Sequence, residues 1–315
     1  MEIPKDYNVK RISEDNLDDF INIHRDAFKS KITVNFIKKK FNTAPIAGVE
    51  YIGYIAYHLN DAPAAFYGVF PLYGLIDNKK VLISQSGDTM TKSKHTRRGL
   101  FPLTAKLTYD LCRENNIKGV FGFPSPPSLP SFKKKLEWTF KDNLKKYNFF
   151  VPTIPLAYFA QKLKVLQNIH LWWVKLILFF YKKANFFEGS VTANGQNGVY
   201  RDEAFWNYKM NCENNFACKI GETSIVFKAN GILIVGDVNI NKKSDIKPIL
   251  RKLKWLSFLT FHPFVMFCVS PGSVLDIKLI ELKKSSEGLP IGYLNFDNET
   301  DLSSLKFTYF DFDTF

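Results

Sequence analysis

The stretch from Tyr51 to Phe123 constrains this chain more than any other, because its hydrophobic period changes partway along. Tyr51–Leu59, Ala64–Leu75 and Val81–Met90 are rich in β-branched and aromatic residues. They are separated by Asn60-Asp-Ala-Pro63 and by Asp77-Asn78, so the first two read as an antiparallel hairpin and the third as the strand that follows it. From Gly99-Leu-Phe-Pro102 onward the apolar positions Leu103, Leu107, Leu111 and Cys112 recur at helical spacing. Pro102 suits a first helical turn, where its missing N–H is not needed. Ile117–Phe123 then returns as a short strand. Upstream, Tyr7–Ile12 reads as a strand, Ser13-Glu-Asp-Asn16 as a helix start and Val34–Phe41 as a second helix. The order is β-α-α-β-β-β-α-β, followed by a proline-rich turn and a short helix near Ser131–Leu136.

A chain of 315 residues exceeds the usual ~100–150 residue domain, so two packed units are expected. The proposed division is 1–148, a connector over 149–190, and 191–315. Hydrophobic residues at 46% and charged residues at 23% exclude wholesale disorder. The net charge of +13 is uneven: residues 1–150 hold 24 Lys and Arg against 15 Asp and Glu, whereas 151–315 hold 19 against 15. An electropositive first half attracts polyanions such as a CoA nucleotide, a nucleotide-sugar or a nucleic acid. Cys112, Cys212, Cys218 and Cys268 show neither CxxC spacing nor clustered histidines, so no metal site or disulfide framework is expected. A reducing compartment fits this cysteine usage, and the polar first residues lack the apolar core of a signal peptide, so a cytoplasmic location is expected.

The second half offers a helix over Asp202–Tyr208 and strands near Phe216–Lys219, Ser224–Ala229 and Ile232–Asn239. A helix at Ser244–Leu256 and later strands at Phe264–Val269, Ile291–Phe296 and Leu305–Phe310 complete it. Leu171–Tyr181 is the most apolar stretch, but with Lys175 inside it falls short of the ~20 apolar residues of a spanning helix. It reads first as a helix packed between domains. Peripheral membrane contact through 165–183 is the alternative, given the lysines around it. In Phe307-Thr-Tyr-Phe-Asp-Phe-Asp-Thr-Phe315 the alternation of aromatic and acidic residues places Asp311 and Asp313 on one face of a strand. That strand is either a solvated edge or part of an acceptor wall.

The segment Ser86-Gly-Asp-Thr-Met-Thr-Lys-Ser-Lys-His-Thr-Arg-Arg-Gly-Leu-Phe-Pro102 carries the chemistry. Backbone N–H groups at a helix N-terminus, the helix dipole behind them and Arg97 and Arg98 beside them make a cradle for a pyrophosphate. Thr96-Arg97-Arg98-Gly99-Leu100-Phe101 resembles the acyl-CoA-binding motif of the GNAT acyltransferases, (Q/R)-x-x-G-x-(G/A), departing from it at Thr96 and Phe101. The stretch from Gly119 to Trp138 is similar to the later block of that family, with Ser125, Ser128, Phe132, Lys134, Lys135 and Trp138 on or near its positions.

This resemblance covers residues 8–140. It implies an α/β (α+β) GNAT fold with a mixed, splayed central sheet, followed by a second, degenerate GNAT-like domain. It also implies that acetyl-CoA or another acyl-CoA is the co-substrate, without a metal, held by Thr89, Met90, Thr91, Arg97, Arg98, Gly99, Leu100, Phe101, Ser125 and Ser128. An amine would then attack the thioester directly, a reaction that needs removal of a proton and a proton for the departing thiolate. Family members often supply that last proton from a tyrosine where this chain has Phe132. Asp88 and His95 are the candidates for the base, with His58 a third.

The second half resembles that of two-domain GNAT proteins among bacterial surface-polysaccharide enzymes. N-acylation of a nucleotide-linked amino sugar is therefore the leading expectation, with the acceptor between the halves and Asp311 and Asp313 in its wall. A Fem-type transferase using aminoacyl-tRNA and an inactive binding module are the alternatives.

Overall fold

Sequence periodicity and turn chemistry account for most element boundaries in the computed structural model, which describes residues 3–60 and 62–315. In chain order these elements are β1 (Tyr7–Arg11), α1 (Leu17–Phe28), α2 (Val34–Phe41), α3 (Ala44–Ala47), β2 (Ile52–His58), β3 (Ala62–Ile76), β4 (Lys79–Thr91), α4 (Leu100–Glu114), β5 (Gly119–Gly122), α5 (Leu129–Lys135) and β6 (Thr139–Phe150). There follow α6 (Leu156–Ala160), α7 (Lys164–Phe179), β7 (Gly198–Val199), α8 (Glu203–Met210), β8 (Asn215–Ile220), β9 (Thr223–Asn230), β10 (Ile232–Val238), α9 (Ile246–Leu259), β11 (Phe264–Val269), α10 (Val274–Ile280) and β12 (Ser286–Asn295). Side-chain caps start several helices: Thr33 for α2, Asp202 for α8 and Ser273 for α10 each accept from a backbone N–H of the first turn.

The elements gather into two compact units that are not contiguous in sequence. The first holds the residues up to Lys141 with Pro290–Ser303, and the second holds Asp142–Leu289 with Ser304–Phe315. The expected contiguous division at 148 and 190 therefore differs from the packing. Residues 290–303 join the first unit because Gly292–Asn295 pair antiparallel with Gly119–Gly122.

In the first unit β1, β2, β3 and β4 are successive antiparallel neighbours, and β4 runs parallel to β5. Residues 64–72 of β3 are buried throughout, so this strand packs helices on both faces. One face carries Phe20, Ile37, Phe41, Phe66 and Met90 of the α1/α2 core. The other carries Tyr67, Ala105, Tyr109, Phe132 and Trp138 of the α4/α5 core.

The second unit repeats the plan. Strands β8, β9 and β10 are antiparallel, α9 crosses over, and β11 returns parallel to β10 and pairs antiparallel with β6. Its core is Phe227, Leu233, Leu253, Val265 and their neighbours.

The structure corrects one expectation here. The predicted strand Leu305–Phe310 is instead a pair of isolated bridges at Lys306 and Thr308 followed by a 3-10 turn over Tyr309–Asp311. The alternating aromatics suggested a strand, but the Asp311 carboxylate folds back onto the Thr308 N–H and tightens the chain into a turn. The apolar stretch Leu171–Tyr181 falls largely in α7, which packs Leu171, Val174 and Leu178 on the second unit and leaves Trp172, Leu176 and Phe179 exposed.

Candidate active site

The strand pair leading into α4 opens where a ligand could enter. β4 and β5 pair only at Ser84 with Val120 and Gln85 with Phe121; β5 ends at Gly122, whereas β4 runs on beside β3 to Thr91. The β5-facing backbone edge of Ser86–Thr91 is thus left without a partner strand among the described residues. A bulge deepens the opening: Gly68 faces Gly87 and Phe66 faces Met90, which leaves one extra residue on β4. Asp88 sits in that bulge with a left-handed φ of 32°. Thr89 and Thr91 are half-buried, while the Met90 side chain packs into the α1/α2 core, so only its backbone faces the opening.

Below the end of β4 the chain turns through Thr96–Gly99, all exposed, into α4. Gly99 is the N-cap, with φ at 76° and no side-chain cap on the first-turn N–H groups. A side chain built on Gly99 would point into open space, so glycine is required here by backbone conformation rather than by crowding. An uncapped helix N-terminus flanked by Arg97 and Arg98 has the electrostatics of an anion site. Leu100, predicted to touch the cofactor, has its side chain buried with Tyr7 and Ala65, and can offer only its N–H. Phe101 packs on Tyr67 and Phe132, with ring centroids at 5.8 and 5.2 Å.

The two candidate bases engage different partners. Lys40 Nζ of α2 lies 2.9 Å from Oδ1 and 2.8 Å from Oδ2 of Asp88. His24 of α1 belongs to the same surroundings. Burial is the main cause of its lowered pKa, opposed by the charge of Asp88 and assisted by that of Lys40. Its Nδ1 is buried without a hydrogen-bond partner. His95 Nδ1 instead pairs with the Tyr7 hydroxyl at 2.8 Å, and its ring lies 5.6 Å from that of His58. Burial first, then His58 and neighbouring cations, lower the His95 pKa. Since β1 and β2 lie beyond β3 from β4, His95 and His58 form a cluster separate from Asp88.

A hydroxyl chain that the sequence did not announce ends at the opening. Trp138 Nε1 donates to the Tyr109 hydroxyl at 2.9 Å, the Tyr109 and Tyr67 hydroxyls are 3.2 Å apart, and Tyr67 donates to Ser86 Oγ at 2.9 Å. An indole N–H only donates, so this polarity leaves the Ser86 proton as the one pointing onward. Burial raises the Tyr67 pKa well above its ordinary value and keeps it a donor. Gly122 lets the end of β5 approach, since a Cβ there would lie 3.1 Å from that of Ser86. Phe132, on the family's tyrosine position, is buried against Trp138 at 4.5 Å between ring centroids. Ser125 and Ser128 lie at the start of α5 and hydrogen-bond each other at 3.2 Å. Spacing gave no sign of Lys40, Ser86 or Tyr67, because each acquires its role from a residue on another element.

In the second unit, Asp311 does not form an acceptor wall. It is 1% exposed; its Oδ1 accepts from Arg201 Nη2 at 2.7 Å and its Oδ2 from the Thr308 N–H at 2.8 Å. Burial raises the Asp311 pKa against the pull of Arg201. Arg201 also pairs with the buried carboxylate of Asp237, which accepts from Ser190 Oγ at 2.6 Å. Asp313 is half-exposed and does not share a strand face with Asp311.

Residues 8–140 match the model of the acetyltransferase (GNAT) domain family. No curated protein sequence matches the chain. Among solved structures, a GCN5-related N-acetyltransferase from Kribbella flavida is 12% identical with a TM-score of 0.57, over 93% of this chain and 71% of that one. A putative acetyltransferase from Pyrococcus horikoshii is 12% identical with a TM-score of 0.54, over 98% and 95%. Saccharomyces cerevisiae N-myristoyltransferase with bound myristoyl-CoA is 8% identical with a TM-score of 0.55, over 93% and 83%. At these identities the structures share the fold. Residues 8–140 thus match a GNAT acetyltransferase domain, and the chain shares its mixed α/β fold with these structures.

Proposed function

We propose that this chain is a GNAT-type acyltransferase that transfers an acyl group, acetyl or a close relative, from CoA to the amine of an amino sugar in its nucleotide-linked form. One observation carries the reading: the unpaired edge of Ser86–Thr91 lies directly before an uncapped, arginine-flanked helix N-terminus opened by Gly99. Pantetheine amides hydrogen-bond the free strand edge in this reading, and the pyrophosphate takes the N–H groups of α4. The family match and the myristoyl-CoA bound to one structural neighbour support an acyl-CoA ligand.

Asp88 is the proposed base. It takes the proton of the attacking nitrogen, and Lys40 holds its carboxylate in place. Nitrogen bonds to the thioester carbon, the carbon–sulfur bond breaks, and the thiolate takes a proton. Ser86, oriented by Tyr67, is the proposed hydrogen-bond donor to the departing sulfur in place of the hydroxyl that Phe132 lacks, and the thiolate takes its proton from solvent at the open strand edge. The basic first half favours an acceptor bearing phosphates, and the amino-sugar class follows the resemblance of the second half.

Titration calorimetry with acetyl-CoA, followed by turnover on a panel of amino sugars and their nucleotide-linked forms, tests the reading. Gly99→Val forces a β-branched residue into a left-handed conformation at the phosphate cradle, and should weaken acetyl-CoA by about tenfold or more. Unchanged affinity in a folded Gly99→Val protein would remove the cradle from this loop. Binding without turnover of any amine would leave a cofactor-binding module in place of an enzyme acting on amino sugars.

A further inference from the structure

Helix α7 is apolar on two sides. Its inner stripe, Leu171 and Val174 with Leu178, packs on the core of the second unit. Its outer stripe, Val165, Ile169, Trp172, Leu176 and Phe179, advances by four, three, four and three residues and so lies along one face. That outer face is bare: Trp172 is 61% and Phe179 81% exposed. Beside it lies a groove of about 330 Å³ whose lining includes Phe159, Leu166, Ile169 and Trp172. On α9 of the same unit, Trp255 and Phe258 are exposed and stacked, with centroids 5.4 Å apart. Apolar surface this extensive marks an interaction site.

The charge around these residues selects the occupant. Residues 143–187 contain seven lysines and no Asp or Glu, and residues 246–275 contain four basic residues and again no acid. A second copy meeting this face with its own would set lysines against lysines without a carboxylate to offset them. An anionic bilayer surface complements both features, because aromatic side chains settle at headgroup depth while lysines extend to the phosphates. Among the described residues no helix is long and apolar enough to cross a membrane, so the element would lie in the interface rather than span it.

We propose that this face of the second unit docks on an anionic phospholipid surface, with α7 lying in the interfacial plane. The proposal is independent of the acyl acceptor. It is tested by sedimenting the full chain with vesicles of phosphatidylcholine alone or mixed with phosphatidylglycerol. Binding should be at least about tenfold tighter to the anionic vesicles and should weaken with added salt. The double variant Trp172→Glu/Phe179→Glu should lose most of this binding while acetyl-CoA titration and thermal unfolding stay unchanged. Lys164→Glu/Lys175→Glu, which keeps the apolar stripe, should lose roughly fivefold per lysine. Absence of binding, equal binding to neutral and anionic vesicles, or a dimer in light scattering that Trp172→Glu/Phe179→Glu dissolves would each overturn the proposal. If both double variants unfold, loss of vesicle binding on Phe179→Ser alone supports it and retention overturns it.

Discussion

The two units use one device to opposite ends. Each strand that leads into a crossover helix carries Gly-Asp at a bulge, Gly87-Asp88 in β4 and Gly236-Asp237 in β10. Each strand then pairs parallel to the next over a short stretch only. In the first unit the gap beyond that stretch is open and the helix N-terminus is uncapped. In the second, Thr308 bridges Val269, Phe307 accepts from the Ser270 N–H at 2.9 Å, and the Phe315 ring lies where a side chain on Gly236 would stand. The N-terminus of α9 is closed as well, since the Asp245 carboxylate accepts from the Lys247 N–H at 2.9 Å. Asp237 is fully buried against Arg201, whereas Asp88 keeps partial exposure beside Lys40. A shared strand–helix–strand plan therefore does not make two open gaps; what fills the gap decides.

Arg201 breaks the comparison most severely. Arg201→Met leaves Asp237 and Asp311 buried without their cation, and should destabilise the protein by about 3–5 kcal/mol in denaturant unfolding. Lys40→Met in the first unit should cost only about 1 kcal/mol, because Asp88 retains access to water. Equal losses would mean that the two bulge carboxylates are not in different environments.

Acid should separate the units next. Burial, with His170 adding to it, holds His262 down to about 3. A base whose folded pKa is lowered contributes stability that is whole above its unfolded value of about 6.5 and is lost as pH falls from there toward 3. Between pH 7 and pH 5 the second unit should lose about 2 kcal/mol through this group. Hydrogen exchange on β10 and β11 at the two pH values reads that loss, and His262→Gln should remove most of the slope. A slope that persists in the variant would assign it to other groups.

The smallest effect concerns the caps. Asp245→Ala should cost about 1 kcal/mol of stability. Acetyl-CoA titration of that variant should keep the stoichiometry of the parent, because the C-terminal segment still fills the gap. A second binding event would show that the cap alone had closed the site.

Much of the first unit is legible in the order of its residues. The β-branched runs, the Asp77-Asn78 turn and the change of period at Gly99 correspond to β2, β3, β4 and α4, each set by local pattern. Gly99 itself is legible because few residues besides glycine adopt its backbone conformation at low cost. Asp311 and Asp313 mislead, since alternation of aromatic and acidic residues describes a strand equally well when a buried arginine 110 positions away turns the segment into a cap. The hydroxyl chain from Trp138 to Ser86 is illegible for the same reason. Its links join Trp138, just ahead of β6, to side chains of α4, β3 and β4, and no spacing along the chain encodes them.

What the sequence by itself determined about this protein is the order and type of most of its elements and the place of the glycine-opened, arginine-flanked start of α4. Backbone propensity, turn residues and hydrophobic period act within a few residues of one another, and that range suffices for these features. The tertiary structure alone decided which gap stays open, which distant segment pairs with β5, which side of α7 is left bare and which lysine reaches Asp88. Each of these depends on a segment far away in sequence arriving, or failing to arrive, at a particular edge, and local pattern carries no record of that arrival.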